Sequence, residues 1–296
     1  MKKVRARFSS PNLYGALLIV LSGGLAAISN ALTHSLPSSF SSWEILFFKS
    51  TIGCVALFVF FVRKEQSLLR TSIFRFHFLK GILSTIGNVC WLIALLHLSL
   101  AQSSALSLTS ALFTSIGGWV IFKEDFPWQL WLALIIGGLG VYLIIDVPNC
   151  AFNWYTLFPL LSALCFSASS LMVKRLAKSD SSYTTLFYLL FFMSLFSLVP
   201  MLWEWVTPSI WDIVKLGGIG VIYFIAQLFL IEAYTVAAAT FIAPFKFSRF
   251  PLNILAGIFF FFEWPHLLTL AGGILIMGAY YALIKYDRLQ KRTVRR

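Results

Sequence analysis

The chain has 296 residues, of which 59% are hydrophobic and only 11% charged, with a mean hydropathy of +0.86 and a formal net charge of +12. Soluble domains carry about 25% charged residues, and a chain with so few cannot cover its surface with polar groups, so a water-soluble enzyme or binding module is excluded. A bilayer needs about 20 apolar residues per crossing, and this composition asks for several crossings.

Taken in chain order, residues 1–11 form a basic tail (Lys2, Lys3, Arg5, Arg7) ahead of a charge-free run over 13–36. That run is too long for a signal-peptide core and lacks a small-residue cleavage end, so it reads as the first span, 12–35. Further spans are predicted at 43–62, 76–97, 101–122, 127–146, 153–173, 182–203, 210–235, 237–262 and 265–285. The stretch from Gly81 to Phe122 is charge-free and too long for one crossing, so it is divided at a turn near Ser99–Ser103. The predicted fold is all-α and membrane-integral, with ten transmembrane helices and a basic tail over 286–296.

Of the 23 Lys and Arg residues, nearly all fall on one side of this topology. They are the four of the N-terminal tail, Arg63, Lys64, Arg70, Arg75, Lys80, Lys123, Lys174, Arg175, Lys178, and six from Lys285 to Arg296. Lys215 lies on the other side, and Lys49, Lys246 and Arg249 lie inside spans. Basic loops stay in the cytoplasm, which predicts two cytoplasmic termini in a bacterial inner membrane. The positive charge then serves topology and contact with anionic lipids, and a nucleic-acid partner is not expected.

The sequence also repeats at an offset of about 139 residues. Glu124 follows a Phe-rich helix end (VIFKEDFPW), as Glu263 does (FFFFEWPH), and each precedes a helix with small residues. This divides the chain into five-helix units over 12–146 and 153–285. Five is odd, so the second unit enters the membrane from the opposite side, the inverted repeat that transporters build around a midplane site.

Cys54, Cys90, Cys150 and Cys165 are scattered without a CxxC pair, and His34, His77, His97 and His266 are isolated, so neither a disulfide framework nor a metal site is expected. No nucleophile–base pair or phosphate-binding glycine loop is present. The chain reads as a non-enzyme without cofactor, acting as a monomer or weak dimer.

Several stretches carry a family resemblance. SSWEILFFKS (41–50), FLKGIL (78–83) with Trp91 beyond it, LFY (186–188) ahead of Pro200, and FIAPFKF (241–247) followed by FFFFEWP (259–265) resemble the drug/metabolite transporter superfamily of EamA type. Within it they are most similar to bacterial S-adenosylmethionine uptake transporters. The resemblance places Glu44, Lys49, Lys80, Pro244 and Lys246 on motif positions. Family members often carry Arg where Lys49 and Lys80 stand, and Pro where this chain has Ala111.

An ionisable side chain at a helix centre costs roughly 2.5–3.5 kcal/mol on insertion scales, so it faces a cavity or a partner. Lys246 and Arg249 lie three residues apart on one face of the ninth span, with Asn253 continuing that face. Arg249 is about 15 Å from the turn at Ala237–Ala239, near the midplane. Pro244 and Pro251 flank the pair, and Pro251 predicts a kink that frees the Phe247 carbonyl. Two cations beside broken helix suit a carboxylate or phosphate; the alternative is a structural ion pair of Lys246 with Glu232, itself a candidate gate. Lys49 lies about 9 Å inside the second span, deep enough to line a cavity and shallow enough to snorkel. Glu44, five residues before it, is a poor intrahelical partner. Trp91, Phe247 and Tyr223 offer faces to a flat base or a sulfonium, and Asn88 offers hydrogen bonds. The first span lacks the carboxylate that small proton-coupled cation exporters use, so facilitated uptake or exchange is expected. The sequence thus reads as an alternating-access carrier of a carboxylate-bearing small molecule, in the first place for uptake of S-adenosylmethionine, with S-adenosylhomocysteine as a candidate exchange partner. The alternative is an amino-acid or anionic-metabolite exporter.

Overall fold

A computed structural model describes residues 11–37, 39–61, 71–122, 128–145, 153–176, 179–237, 243–278 and 281. The basic tails, Glu124 and the loop cations Arg63, Lys64, Arg70, Lys123 and Lys178 lie outside the described residues.

The described residues are all-helical. In order they form α1 (Pro11–His34), α2 (Ser42–Phe61), α3 (Phe74–His97), α4 (Leu100–Ser107), α5 (Ser110–Phe122), α6 (Trp128–Ile145), α7 (Leu157–Leu176), α8 (Ser182–Trp203), α9 (Ile210–Val236), a 3₁₀ turn (Ala243–Ser248), α10 (Arg249–Phe261) and α11 (Leu267–Gly278). Six of them, α1, α2, α3, α8, α9 and the helix through α7, are long and apolar enough to cross a bilayer. Large apolar side chains stand exposed along them, among them Val59, Leu202 and Val214, as a helix surrounded by lipid requires.

Hydroxyls set the helix starts. Ser99, Ser181 and Ser209 each accept a backbone N–H three residues on, and Ser209 with Asp212 completes a capping box. The predicted turn at Ser99–Ser103 lies earlier, at Leu98–Ser99, because the Ser99 cap starts α4 at once.

Among the described residues three of the predicted spans are not continuous α-helices: 153–173 opens on a 3₁₀ turn at Trp154–Thr156, and two are interrupted further in. The stretch 101–122 is interrupted at Leu108–Thr109, dividing α4 from α5. No proline does this: Ser107 Oγ donates to the Ser104 carbonyl and Thr109 Oγ1 to that of Leu106, each at 2.7 Å, and such local bonds compete with the helix ladder. In the ninth span a 3₁₀ turn passes into α-helix at Arg249. Pro251 falls in the first turn of α10, where its missing N–H costs no ladder bond. The change of helix type therefore comes at Ser248–Arg249 rather than at a Pro251 kink.

Helix packing follows a matched set of pairs. α1 packs on α9 as α7 packs on α3; α2 packs on α9 as α8 packs on α3; α5 packs on α7 as α10 packs on α1. α2 with α8, and α4 with α10, pack on each other. α6 and α11 approach closely at two glycines, since a Cβ on Gly140 would stand 2.7 Å from the Gly272 carbonyl oxygen. The main core lies between α2, α3, α8 and α9, around fully buried Ile45, Leu46, Leu57, Leu186, Leu190 and Met193.

Candidate functional site

The helices enclose a cavity of about 210 Å³, lined from α1, α2, α3, α7, α8, α9 and the two interrupted segments. Four cationic side chains reach it: Lys49 from α2, Lys80 from α3, Lys246 from the 3₁₀ turn and Arg249 from the start of α10. In a 3₁₀ helix residues three apart eclipse, which keeps Lys246 and Arg249 on the same side. The rest of the lining is largely serine, asparagine and aromatic rings.

Lys49 does not snorkel. It is 5% exposed, donates to Asn88 Oδ1 at 3.1 Å and lies 4.0 Å from the centroid of the Tyr223 ring. Tyr223 donates its hydroxyl to the same Asn88 oxygen at 3.4 Å, and Asn88 Nδ2 is anchored on the Ser84 carbonyl one turn below. Arg249 lies over the Trp91 ring, 4.9 Å from its centroid, and its Nε is buried without a hydrogen-bond partner. Trp91 Nε1 donates to Asn30 Oδ1, whose amide donates to Asn253 Oδ1, both at 3.1 Å. Lys246 lies over Tyr234 at 5.0 Å. Among the described residues none of the four cations makes an ion pair with a carboxylate.

The two ends of the cavity differ. At one end α1 stops four residues past Asn30, and there His34 ties three segments together. Its Nδ1 meets the Leu95 carbonyl at 2.6 Å and its Nε2 meets Glu263 Oε1 at 2.9 Å, while Glu263 Oε2 accepts the Leu100 N–H at 3.3 Å. Both imidazole nitrogens thus lie within hydrogen-bond distance of an oxygen, one from the backbone of α3 and one from Glu263. At the other end the lining runs to Val173 and Tyr234, close to the ends of α7 and α9. Near that end His77, buried at 1% exposure, pairs through Nε2 with Asp180 Oδ2 at 2.6 Å, and Thr71 donates to the same oxygen at 2.6 Å.

Of the residues singled out from sequence, Arg249, Lys246, Lys49, Trp91, Phe247, Tyr223 and Asn88 all line the cavity. Asn253 stands behind the lining, supporting Asn30. Glu44 is fully buried away from it and accepts the Val206 N–H at 3.4 Å. Glu232 accepts from Ser182 Oγ at 3.0 Å and makes no ion pair with Lys246 among the described residues. Sequence reasoning counted Lys80 as a loop cation, yet it is 3% exposed and in the cavity. It also passed over the serines. Ser22 and Ser29 at helical spacing on α1, and Ser104, Ser107 and Ser110 at steps of three, were the available signal.

A family model described as the EamA-like transporter family matches residues 13–146. The chain is 33% identical to a riboflavin transporter of Vibrio cholerae serotype O1, covering 90% of this chain and 91% of that protein. It is 26% identical to an S-adenosylmethionine uptake transporter of Rickettsia prowazekii, covering 93% and 94%. It is 28% identical to a pseudopaline exporter of Pseudomonas aeruginosa, covering 91% and 95%. A protein of known crystal structure shares the fold with a TM-score of 0.62 at 16% identity, covering 94% of this chain and 98% of the other.

Proposed function

The chain belongs to the EamA-like transporter family, and from that premise we propose that it carries a metabolite joining a flat ring to a carboxylate or phosphate. The observation that carries this reading is the cavity charge: Lys49, Lys246 and Arg249 line one cavity with no carboxylate paired to any of them among the described residues. Uncompensated cations inside a membrane protein are costly, and an anionic substrate supplies the missing partner. Arg249 is the anchor, with its guanidinium edge free to take an anion in bidentate fashion while Trp91 holds its face. Lys49, fixed by Asn88 and Tyr223, supplies the second charge. The serines around them supply neutral hydrogen bonds.

S-adenosylmethionine stands second. It brings a carboxylate and a flat base, and a relative of similar length bears that name. Its sulfonium, however, needs an aromatic face, and Trp91, Tyr223 and Tyr234 each already turn one to a cation of the protein.

The transport cycle follows from the same arrangement. Two five-helix units over 12–146 and 153–285 rock against each other, with both termini in the cytoplasm of a bacterial inner-membrane protein. The matched helix pairs support this reading, as does the one-sided distribution of Lys and Arg. In that orientation the His34–Glu263 end is periplasmic and closed, and the substrate enters or leaves beside α7 and α9.

The test is counterflow in proteoliposomes with labelled S-adenosylmethionine, riboflavin and riboflavin 5′-phosphate. Uptake of the phosphate ester well above that of riboflavin, lost in Arg249→Ala, supports the anionic reading. Transport confined to the uncharged or cationic compounds overturns it.

A further inference from the structure

Lys80 is not used by the clamp just described. It sits two turns below Asn88 on α3, so about 12 Å of helix axis separates it from the residue that holds Lys49. Lys80 is 3% exposed, lines the cavity, and makes no hydrogen bond or ion pair among the described residues. The carboxylate of Asp180 makes no ion pair with it among the described residues, its Oδ2 being held by His77 Nε2 and Thr71 Oγ1 at 2.6 Å each. One turn along α3, Ser84 bonds to Ser169 of α7 at 2.9 Å, and none of the α7 residues that line the cavity is acidic. Gly81, next to Lys80, packs against Phe192 of α8 with room for no side chain, since a Cβ there would meet the Phe192 Cβ at 2.5 Å. That contact holds α3 at this level, so Lys80 is fixed in the wall and does not belong to a loose end.

We infer that Lys80 is a second anion-binding pole, and that the substrate carries acidic groups at both ends of its flat core, one on Lys49 and Arg249 and the other on Lys80. This rests on the anionic reading above and deepens it by naming the substrate class as a two-ended acid. A one-ended acid would leave Lys80 buried without a counter-charge whenever the site is filled. A two-ended acid of about 10 Å satisfies both poles, given the 12 Å rise and the reach of the lysine side chains. Lys246, over Tyr234 nearer the end of α9, then meets the substrate on its way in.

The experiment measures binding of two probes to the purified full chain in detergent or nanodiscs: biphenyl-4-carboxylate and biphenyl-4,4′-dicarboxylate, the same flat core with one or two terminal acids. The dicarboxylate is expected to bind about tenfold or more tightly than the monocarboxylate, the size of one charge-assisted contact. Lys80→Gln should bring the dicarboxylate down to the monocarboxylate's affinity and leave the monocarboxylate unchanged, and Lys80→Arg should keep the advantage. If Lys80→Gln does not give a monodisperse protein, the Lys80→Arg chain serves with a salt titration, in which the dicarboxylate's advantage must shrink as ionic strength rises. Equal affinities for the two probes in the wild type overturn the second pole. Monocarboxylate binding that still depends on Arg249 would then leave the anionic carrier standing. Binding of neither probe overturns both readings together.

Discussion

The segment from Ser104 to Ser110 and the segment from Ala243 to Arg249 lie 139 residues apart in the chain, and they differ in one respect. Both interrupt regular α-helix at the same point, one by the turn between α4 and α5 and the other by the 3₁₀ turn before α10: Thr109 Oγ1 donates to the Leu106 carbonyl and Ser248 Oγ to that of Phe245, each at 2.7 Å, and these positions are 139 residues apart. Both segments reach the cavity. At the same offset, however, Lys246 and Arg249 stand opposite Ser107 and Ser110. A shared hydroxyl device shapes the backbone in both halves, and only one of them is charged. Backbone irregularity is therefore common to both segments, since it is tolerated where it lines a cavity, while the charge that we propose selects substrate belongs to one of them.

The most severe way to remove the difference is Arg249→Ser, which makes the two segments alike. Transport of an anionic substrate should fall by about a hundredfold, close to the loss of a charge-assisted contact of about 3 kcal/mol. The chain should still insert normally, as measured by counterflow beside the amount of protein in membranes. Undiminished counterflow would mean that the charge on α10 is structural. Moving the cation to the other side, Ser110→Arg in the Arg249→Ser chain, should recover part of that loss if the two segments face one ligand. No recovery would show that the serine segment does not touch the substrate.

Lys49→Met should weaken binding by about tenfold, because it removes one charge and releases Asn88 and Tyr223. Equilibrium binding of the transported anion checks this, with Lys49→Arg expected to be milder. At the His34 end, His34→Gln should loosen the bond to Glu263 and the cap on Leu100. A cysteine placed at Ser104 should then react severalfold faster with a membrane-impermeant thiol reagent from the far side, and an unchanged rate would mean that other contacts close that end. Smallest of all, Thr109→Val removes the hydroxyl that competes with the ladder at the α4–α5 junction. It should slow turnover a few-fold and shift stability by about 1 kcal/mol or less, with thermal unfolding and counterflow read side by side.

How far the site could be read in advance differs from residue to residue. Arg249, Lys246 and Lys49 were legible because a cation inside an apolar run has few places to go, and all three reach the cavity. Lys80 was hidden, since five residues away lies Arg75 at the basic edge of the span, and charge at a span's end ordinarily marks topology. Glu44 read as a ligand candidate and Glu232 as a gate or ion-pair partner of Lys246, and the partners they take, the Val206 N–H and Ser182 Oγ, come from segments distant in sequence. The interruption at Leu108–Thr109 had its signal in Ser104, Ser107 and Thr109, but hydroxyls also occur in unbroken helices, as Thr85 and Ser50 do here.

Composition and the spacing of apolar runs alone gave the solvent of this protein, its helices and the scarcity of places for charge, because the bilayer leaves a backbone no other way to satisfy its hydrogen bonds. Which charges meet was decided only by packing. α2, α3, α9 and α10 had to come together before Lys49 found Asn88 and Tyr223, Arg249 found Trp91, and Lys80 was left facing the cavity with no ion pair among the described residues. An apolar pattern fixes that a helix is buried in lipid or protein, but it is nearly uniform around these helices and carries no record of which neighbour each face meets.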